Sequence, residues 1–255
     1  RREIRQNLRA KWLTKELVYL GSAFIKLGQL LSARADVIPS AWVNELTSLQ
    51  DRVPPFEFKK VQEILLLELG NSYKKIITID SNPIGSASLA QVHKAKLISG
   101  EDVIFKVQRP DIEKFFRLDL DVMNQVAKVV QRSKSLSQGK DWLGIAKECK
   151  RVLIRELDFR IEAQYAARFK QQFLDDLEIL IPSVFWDLSS SKVLCLEYMP
   201  GIKINDIKTL KNNGIDTSSI AKIGATSYLK QLVNYGFFHA DPHPGNLAVS
   251  KGGSL

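Results

Sequence analysis

Two cysteines in 255 residues, Cys149 and Cys195, are too few for a disulfide framework and fit a reducing compartment. Three histidines, His93, His239 and His243, leave little material for a metal centre, because zinc sites usually draw on three or four protein ligands. No apolar run approaches the ~18 residues that cross a bilayer, so no part of this stretch is expected to be integral to a membrane. Acidic residues are in deficit, 28 against 37 basic ones, which gives a formal net charge of +9. Nucleic acid, an anionic membrane surface and polyphosphate ligands would each favour that surplus. No RNA- or DNA-binding signature accompanies it, and no aromatics interleave with a basic stripe, so nucleic acid is not expected as a partner. Internal repeats and low-complexity runs are missing too. What remains, 45% hydrophobic and 25% charged, is the composition of a globular protein large enough for one domain or two lobes.

Helical periodicity runs from Arg1 to about Gly70, with breaks at Pro39 and Pro54-Pro55 and a connector over Gln50–Pro55. At its start Ile4, Leu8 and Trp12 form an apolar stripe among basic residues. The stripe suits anionic lipid, although packing on the protein's own core is the stronger expectation. Strand patterns follow at Lys75–Ile79, Leu89–Lys96 and Asp102–Val107, the last two joined by a turn at Ser99-Gly100-Glu101-Asp102. Helices are expected over Pro110–Lys134 and, as one long element, over Trp142–Phe173. Short strands are expected near Pro182–Trp186 and Lys192–Glu197. The punctuation Met199-Pro200-Gly201 then precedes a helix from Ser218 to Tyr235. Strands, long helix, strands, break and helix describe an α+β chain, and a two-lobed kinase-like fold is one arrangement of that order.

The most telling stretch is Phe238-His239-Ala240-Asp241-Pro242-His243-Pro244-Gly245-Asn246. A carboxylate followed five positions later by a carboxamide, in a loop stiffened by two prolines, suits phosphoryl transfer. Asp241 would orient or deprotonate an attacking hydroxyl, and Asn246 would hold magnesium through its side-chain oxygen. A proline-rich turn with capping residues is the second reading. A zinc site using His239, Asp241 and His243 is a distant third.

Phosphoryl transfer also needs a cation on the phosphates. Lys106 stands alone in the apolar strand Val103-Ile104-Phe105-Lys106-Val107, where the alternative is an edge lysine facing water. On the expected long helix, Asp158 and Glu162 lie four apart and share a face that a cation would stabilise. Arg155, Arg160 and Glu156 could instead neutralise that surface locally. Between the first two strands, Gly85-Ser86-Ala87-Ser88 is small enough for backbone N–H groups to approach phosphates. It lacks the several glycines of ordinary phosphate loops.

These residues resemble the UbiB/AarF family of atypical kinase-like proteins, associated with prenylquinone (ubiquinone or plastoquinone) biosynthesis. Lys26-Leu27-Gly28-Gln29 fits its KxGQ motif, Gly85–Ser88 its alanine-rich loop, Glu156-Leu157-Asp158 its ExD motif, and Asp241 to Asn246 its catalytic loop. The likeness runs from about Lys26 to Leu255. It implies an N-terminal helical extension over residues 1–70, a kinase-like N-lobe over 71–198 and the start of a C-lobe over 199–255. It further implies ATP or ADP with Mg2+ as cofactors, Lys106 on the nucleotide with Glu162 as its helix partner, and Glu197-Tyr198-Met199 as the adenine-contacting hinge. Lys26 and Gln29 would enter the pocket that a protein substrate otherwise occupies, held there by Glu156 and Asp158.

Two departures stand out. The alanine-rich loop begins Gly-Ser rather than Ala-Ala, and no Asp-Phe-Gly follows Asn246 before Leu255. An incomplete chain with little turnover of its own is therefore expected. By resemblance, the complete protein acts on a small or lipid-derived molecule. It works in the cytoplasm or peripherally at a membrane (a bacterial inner face, chloroplast or mitochondrion), beside quinone-biosynthesis proteins. A non-catalytic, nucleotide-gated scaffold is the alternative. An aminoglycoside- or choline-type phosphotransferase ranks lower, because those enzymes lack KxGQ and ExD.

Overall fold

The structure, a computed structural model, describes residues 2–32, 38, 40–47, 54–240 and 244–255. Three helices come first: α1 (Arg2–Leu20), α2 (Ser22–Ser32) and α3 (Ser40–Thr47). The break between α1 and α2 falls at Gly21, whose φ of 108° lies in the left-handed region that favours glycine. Leu17, Ile25, Ile38 and Leu46 join the three segments in one apolar cluster. The α1 stripe corrects the sequence expectation. The helix packs through Ala10, Leu13 and Leu17, whereas Leu8 and Trp12 are each 62% exposed.

Helix α4 (Phe58–Leu69) presents Val61, Leu65 and Leu69 on one face and stops at Gly70, as its periodicity predicts. The strands β1 (Ile76–Ile79), β2 (Gly85–Ser86), β3 (Ala90–Leu97), β4 (Asp102–Gln108) and β5 (Val193–Glu197) build a five-stranded antiparallel sheet. Its order is β1-β3-β4-β5, and β2 pairs with β3 beside β1. Period-two alternation splits β4 cleanly. Val103, Phe105 and Val107 pack with Ala95, Leu97 and Cys195 beneath α4, while Ile104 and Lys106 point to the opposite face.

After β4 come α5 (Ile112–Arg132), α6 (Lys134–Ser137) and α7 (Trp142–Glu156). Phe116, Leu120 and Met123 of α5 pack with Leu153 of α7 and Ala23 of α2. The expected long helix is in fact two. Leu157 and Asp158 separate α7 from α8 (Phe159–Gln172), and the Asp158 carboxylate accepts a hydrogen bond from the Arg160 amide at 3.1 Å. Asp158 therefore caps α8 rather than sharing its face with Glu162. Phe159 and Ala163 seat α8 on Ala90 and Leu194 of the sheet. The chain thus layers α4, sheet and α8 in that order.

The expected strand over Pro182–Trp186 reduces to a single bridge, Val184 to Leu196, followed by a one-turn helix at Trp186–Leu188. Beyond β5 come β6 (Ile202–Lys203), α9 (Ile207–Asn212), α10 (Thr217–Lys230) and β7 (Ala248–Val249). Strands β6 and β7 pair closely enough that a Cβ on Gly201 would lie 2.9 Å from the Ala248 side chain. Leu210, Ile215, Ile220 and Val249 close this second, smaller core.

The main core holds one polar chain. The Gln91 side chain accepts from the Phe56 amide at 3.0 Å and donates to the Phe56 carbonyl at 3.2 Å. Its amide nitrogen is 2.9 Å from His93 Nε2, and His93 Nδ1 is 2.7 Å from the Asp80 carbonyl. A carbonyl only accepts, so Nδ1 carries the proton and Nε2 accepts from Gln91. Burial lowers the His93 pKa and keeps the ring neutral. Replacing Gln91 by Ala leaves these groups unpaired and should cost roughly 1–3 kcal/mol in denaturant unfolding. The lowered His93 pKa fixes a sign as well: the unfolded chain takes up this proton first. Stability should therefore be full above about pH 6.5 and decline as the pH falls from there. The His93→Gln variant should lose that decline; an identical pH profile would contradict the assignment.

Candidate functional site

Lys106 lies in the central strand β4, paired to Val92 of β3 and Leu194 of β5, which removes the edge-lysine reading. Its ammonium donates to both oxygens of Glu162, at 2.8 and 2.7 Å, and stands 4.9 Å from the centre of the Phe159 ring. The two side chains are 29% and 46% exposed. The pair is open to solvent on one side, where a further ligand of the ammonium can enter. Glu162 occupies the first turn of α8, where the helix dipole favours a negative charge. The sequence expectation that Lys106 docks between Asp158 and Glu162 is therefore half met. Asp158 is instead held by the Arg160 guanidinium at 2.7 and 2.9 Å, which lowers its pKa.

Gly85 and Ser86 pair with Val92 and Gln91, and the Ala87 amide donates to the Ala90 carbonyl at 2.8 Å. Ser88 and Leu89 thus form the tip of a tight hairpin, both buried. Leu89 enters the apolar cluster of α2, α5 and α7, so the helix carrying Lys26 and Gln29 shares a core with this hairpin. Lys26 reaches Glu156 at 3.3 Å, the end of α7 nearest the break. Of the two ExD carboxylates, Glu156 holds Lys26 and Asp158 caps α8.

Sequence reasoning passed over Arg109, the first residue after β4. Its guanidinium donates to the Ala87 carbonyl at 2.9 Å, the Ser86 hydroxyl at 3.0 Å and the Pro54 carbonyl at 2.8 Å. Burial lowers its pKa, but an arginine stays charged at any working pH. The available signal is its place directly after the strand that carries Lys106.

Of the expected hinge, the Glu197 amide donates to the Ser183 carbonyl and the Tyr198 amide to the Asp102 carbonyl. The Glu197 carboxylate accepts from the Ser183 hydroxyl at 2.6 Å, which lowers its pKa. Met199 has no backbone bond of that kind among the described residues, so its amide is the one of the three available to a ligand.

Asp241, Pro242 and His243 lie outside the described residues. The segment leading to them is fixed on α8: Phe237 packs on Phe169 at 4.9 Å and on Tyr165 at 5.5 Å, beneath the Arg168 guanidinium at 3.9 Å. A π turn at Gln231–Tyr235 after α10 places the Gln231 side chain to accept from the His239 amide at 2.9 Å. On the far side, Asn246 ends an exposed turn over Pro244–Asn246. Helix α8 therefore touches Lys106 near its start and the approach to Asp241 near its end. Among the described residues no group of three or more His, Cys, Asp and Glu is placed to hold a metal. His93, buried and bonded to Gln91, is not available as the further zinc ligand that the third reading needs.

Two stability outcomes separate structural from chemical roles here. Asp158→Ala should lose about 1 kcal/mol through its cap. Lys106→Met should change unfolding free energy by no more than ~1 kcal/mol, because a partly exposed pair contributes little. A larger loss for Lys106→Met, measured by denaturant titration, would make the pair a fold determinant.

The description "ABC1 atypical kinase-like domain" matches residues 48–255. The chain is 44% identical over 247 residues to uncharacterized protein sll1770 of Synechocystis, covering 96% of this chain and 42% of that protein. It is also 44% identical over 250 residues to Protein ACTIVITY OF BC1 COMPLEX KINASE 7, chloroplastic, of Arabidopsis thaliana, covering 96% of this chain and 35% of that one. It thus spans well under half the length of these relatives. Among solved structures, the Rv3197–erythromycin complex from Mycobacterium tuberculosis superposes with a TM-score of 0.68 at 29% identity, over 89% of this chain and 57% of that one. Sheet, paired lysine, covering hairpin and matched span agree: the chain belongs to the ABC1 atypical kinase-like family, and its fold is α+β and kinase-like.

Proposed function

We propose that the complete protein is a nucleotide-dependent phosphotransferase or ATPase acting on a small or lipid-derived molecule in support of prenylquinone biosynthesis. The observation that carries this reading is the Lys106–Glu162 pair, bidentate, solvent-open and set on the sheet face opposite α4. The ammonium receives nucleotide phosphates, and Glu162 fixes its direction. The Gly85–Ala90 hairpin covers those phosphates, and Met199 offers its amide to the adenine. Asp241 orients or deprotonates the acceptor hydroxyl. Asn246, exposed at the end of a short turn, carries the oxygen donor type that suits a hard cation, and it would be the protein ligand for Mg2+. Magnesium supplies neutralisation of the charge that develops on the transferred phosphoryl group. Lys26, Gln29 and Glu156 close the site to a protein substrate, a role supported by the Lys26–Glu156 pair and the packing of α2 on Leu89.

One observation favours the scaffold alternative. Phe115, Leu118, Val122, Val126 and Val129 line one face of α5 and are 50–62% exposed, a surface larger than solitary surface apolar residues make. In this reading nucleotide occupancy gates binding rather than turnover.

In the complete protein Asp241→Asn should abolish ATP hydrolysis, measured as phosphate release, while nucleotide still binds. Full turnover in that variant would end the catalytic reading. If the variant has lost turnover yet restores quinone synthesis to a deficient strain, the scaffold reading takes its place. Lys26→Ala should alter nucleotide affinity or ATP/ADP preference in direct titration, whereas an antibiotic-type phosphotransferase would be indifferent.

A further inference from the structure

Arg109 joins two segments that are distant in sequence and that the proposed function treats separately. One is the hairpin. The Arg109 amide donates to the Leu89 carbonyl at 2.9 Å, and the guanidinium donates to Ala87 and Ser86. The other is the connector that brings the N-terminal helices into α4: Arg109 donates to the Pro54 carbonyl at 2.8 Å, and its guanidinium lies 5.5 Å from the Phe56 ring. Gln91, the strand partner of Ser86, holds the Phe56 backbone at both its amide and its carbonyl.

The guanidinium's acceptors are all neutral, and among the described residues no carboxylate forms an ion pair with it. A structural arginine that is half-buried usually acquires such a partner. Here the charge is spent on carbonyls and a hydroxyl of two strands of chain, beside the two Gln91 bonds that tie the foot of the hairpin to Phe56. The planar fork is what allows one side chain to serve both, because its donors leave in fixed, divergent directions. Lysine offers a single nitrogen and could not span them.

We propose that Arg109 is a positioning residue that couples closure of the Gly85–Ala90 hairpin to the seating of the Pro54–Phe56 connector, so that the N-terminal extension sets nucleotide affinity from behind the loop. The proposal rests on reading that hairpin as the nucleotide cover, and it adds a route by which the extension regulates it. With the connector seated, Arg109 holds Ala87 and Ser86 down and the Ala87–Ala90 turn stays formed. With the connector displaced, the fork loses two of its contacts and the hairpin opens.

The test is amide hydrogen exchange at Ala87 in the nucleotide-free complete protein, comparing wild type with Arg109→Lys and Phe56→Leu. Phe56→Leu removes the ring under the guanidinium and keeps the backbone bonds to Gln91, so it also serves if Arg109→Lys fails to fold. The coupling predicts exchange at Ala87 faster by about tenfold in Arg109→Lys and by a smaller but clear factor in Phe56→Leu, some thirty residues away in sequence. Exchange within about twofold of wild type in either folded variant overturns it. A second arm titrates a fluorescent ADP analogue into Arg109→Lys, where affinity should fall by roughly tenfold at an unchanged melting temperature. Failure of the wild type to bind the analogue would defeat the nucleotide reading alone, since the exchange result judges the coupling without any ligand.

Discussion

Lys106 stands at the centre of a sheet with Glu162 brought to it, and the arrangement of the site follows from how that partner is delivered. Its face of β4 must be covered, yet not sealed. Helix α8 does this by burying Phe159 and Ala163 on the sheet while leaving Glu162 at the rim. The seating of α8 is helped by the Phe159 amide, which donates to the Ser191 carbonyl, and by the Asp158 cap. Once α8 is fixed at that end, its outer turns present Tyr165, Arg168 and Phe169 to the segment that leads into Asp241. One helix therefore sets both the Lys106 pair and the approach to Asp241.

The N-terminal helices act on the same site from the other side. Lys26 meets Glu156 just before the α7–α8 break, so the extension contacts the point from which α8 departs. Leu89 at the hairpin tip is packed among α2, α5 and α7. The N-terminal helices therefore meet the end of α7 that leads into α8, and they share an apolar cluster with the hairpin tip. Among the described residues no helix is long and apolar enough to cross a membrane.

Much of this could be read from the sequence where local rules dominate. The β3–β4 hairpin follows from two alternating runs and Gly100, whose φ of 102° suits glycine. Lys106, alone in an apolar strand, and Glu162, on a helix, are legible in the sequence as candidates, and the structure puts them 2.7 Å apart. The break at Asp158 was missed because apolar periodicity runs through it; the cap is a local hydrogen bond that periodicity does not see. Pro182–Trp186 was expected as a strand because its apolar run resembles one, yet it makes only the Val184 bridge. The contacts of Arg109 and Gln91 are not legible for a common reason: each joins a polar side chain to backbone far away in sequence, and nothing in spacing marks such a partner. The exposed Leu8 and Trp12 show the reverse case, in which an apolar stripe was legible but its burial was not.

The central claim is that the Lys106 ammonium, held by Glu162 under the Gly85–Ala90 hairpin, is where nucleotide phosphates bind. The most direct measurement is a crystal structure of the complete protein grown with Mg2+ and ADP. The account predicts a diphosphate within ion-pair distance of Lys106 Nζ, below Ala87–Ser88, with the adenine at Met199. A diphosphate bound elsewhere while the Lys106–Glu162 pair stays unchanged would contradict it.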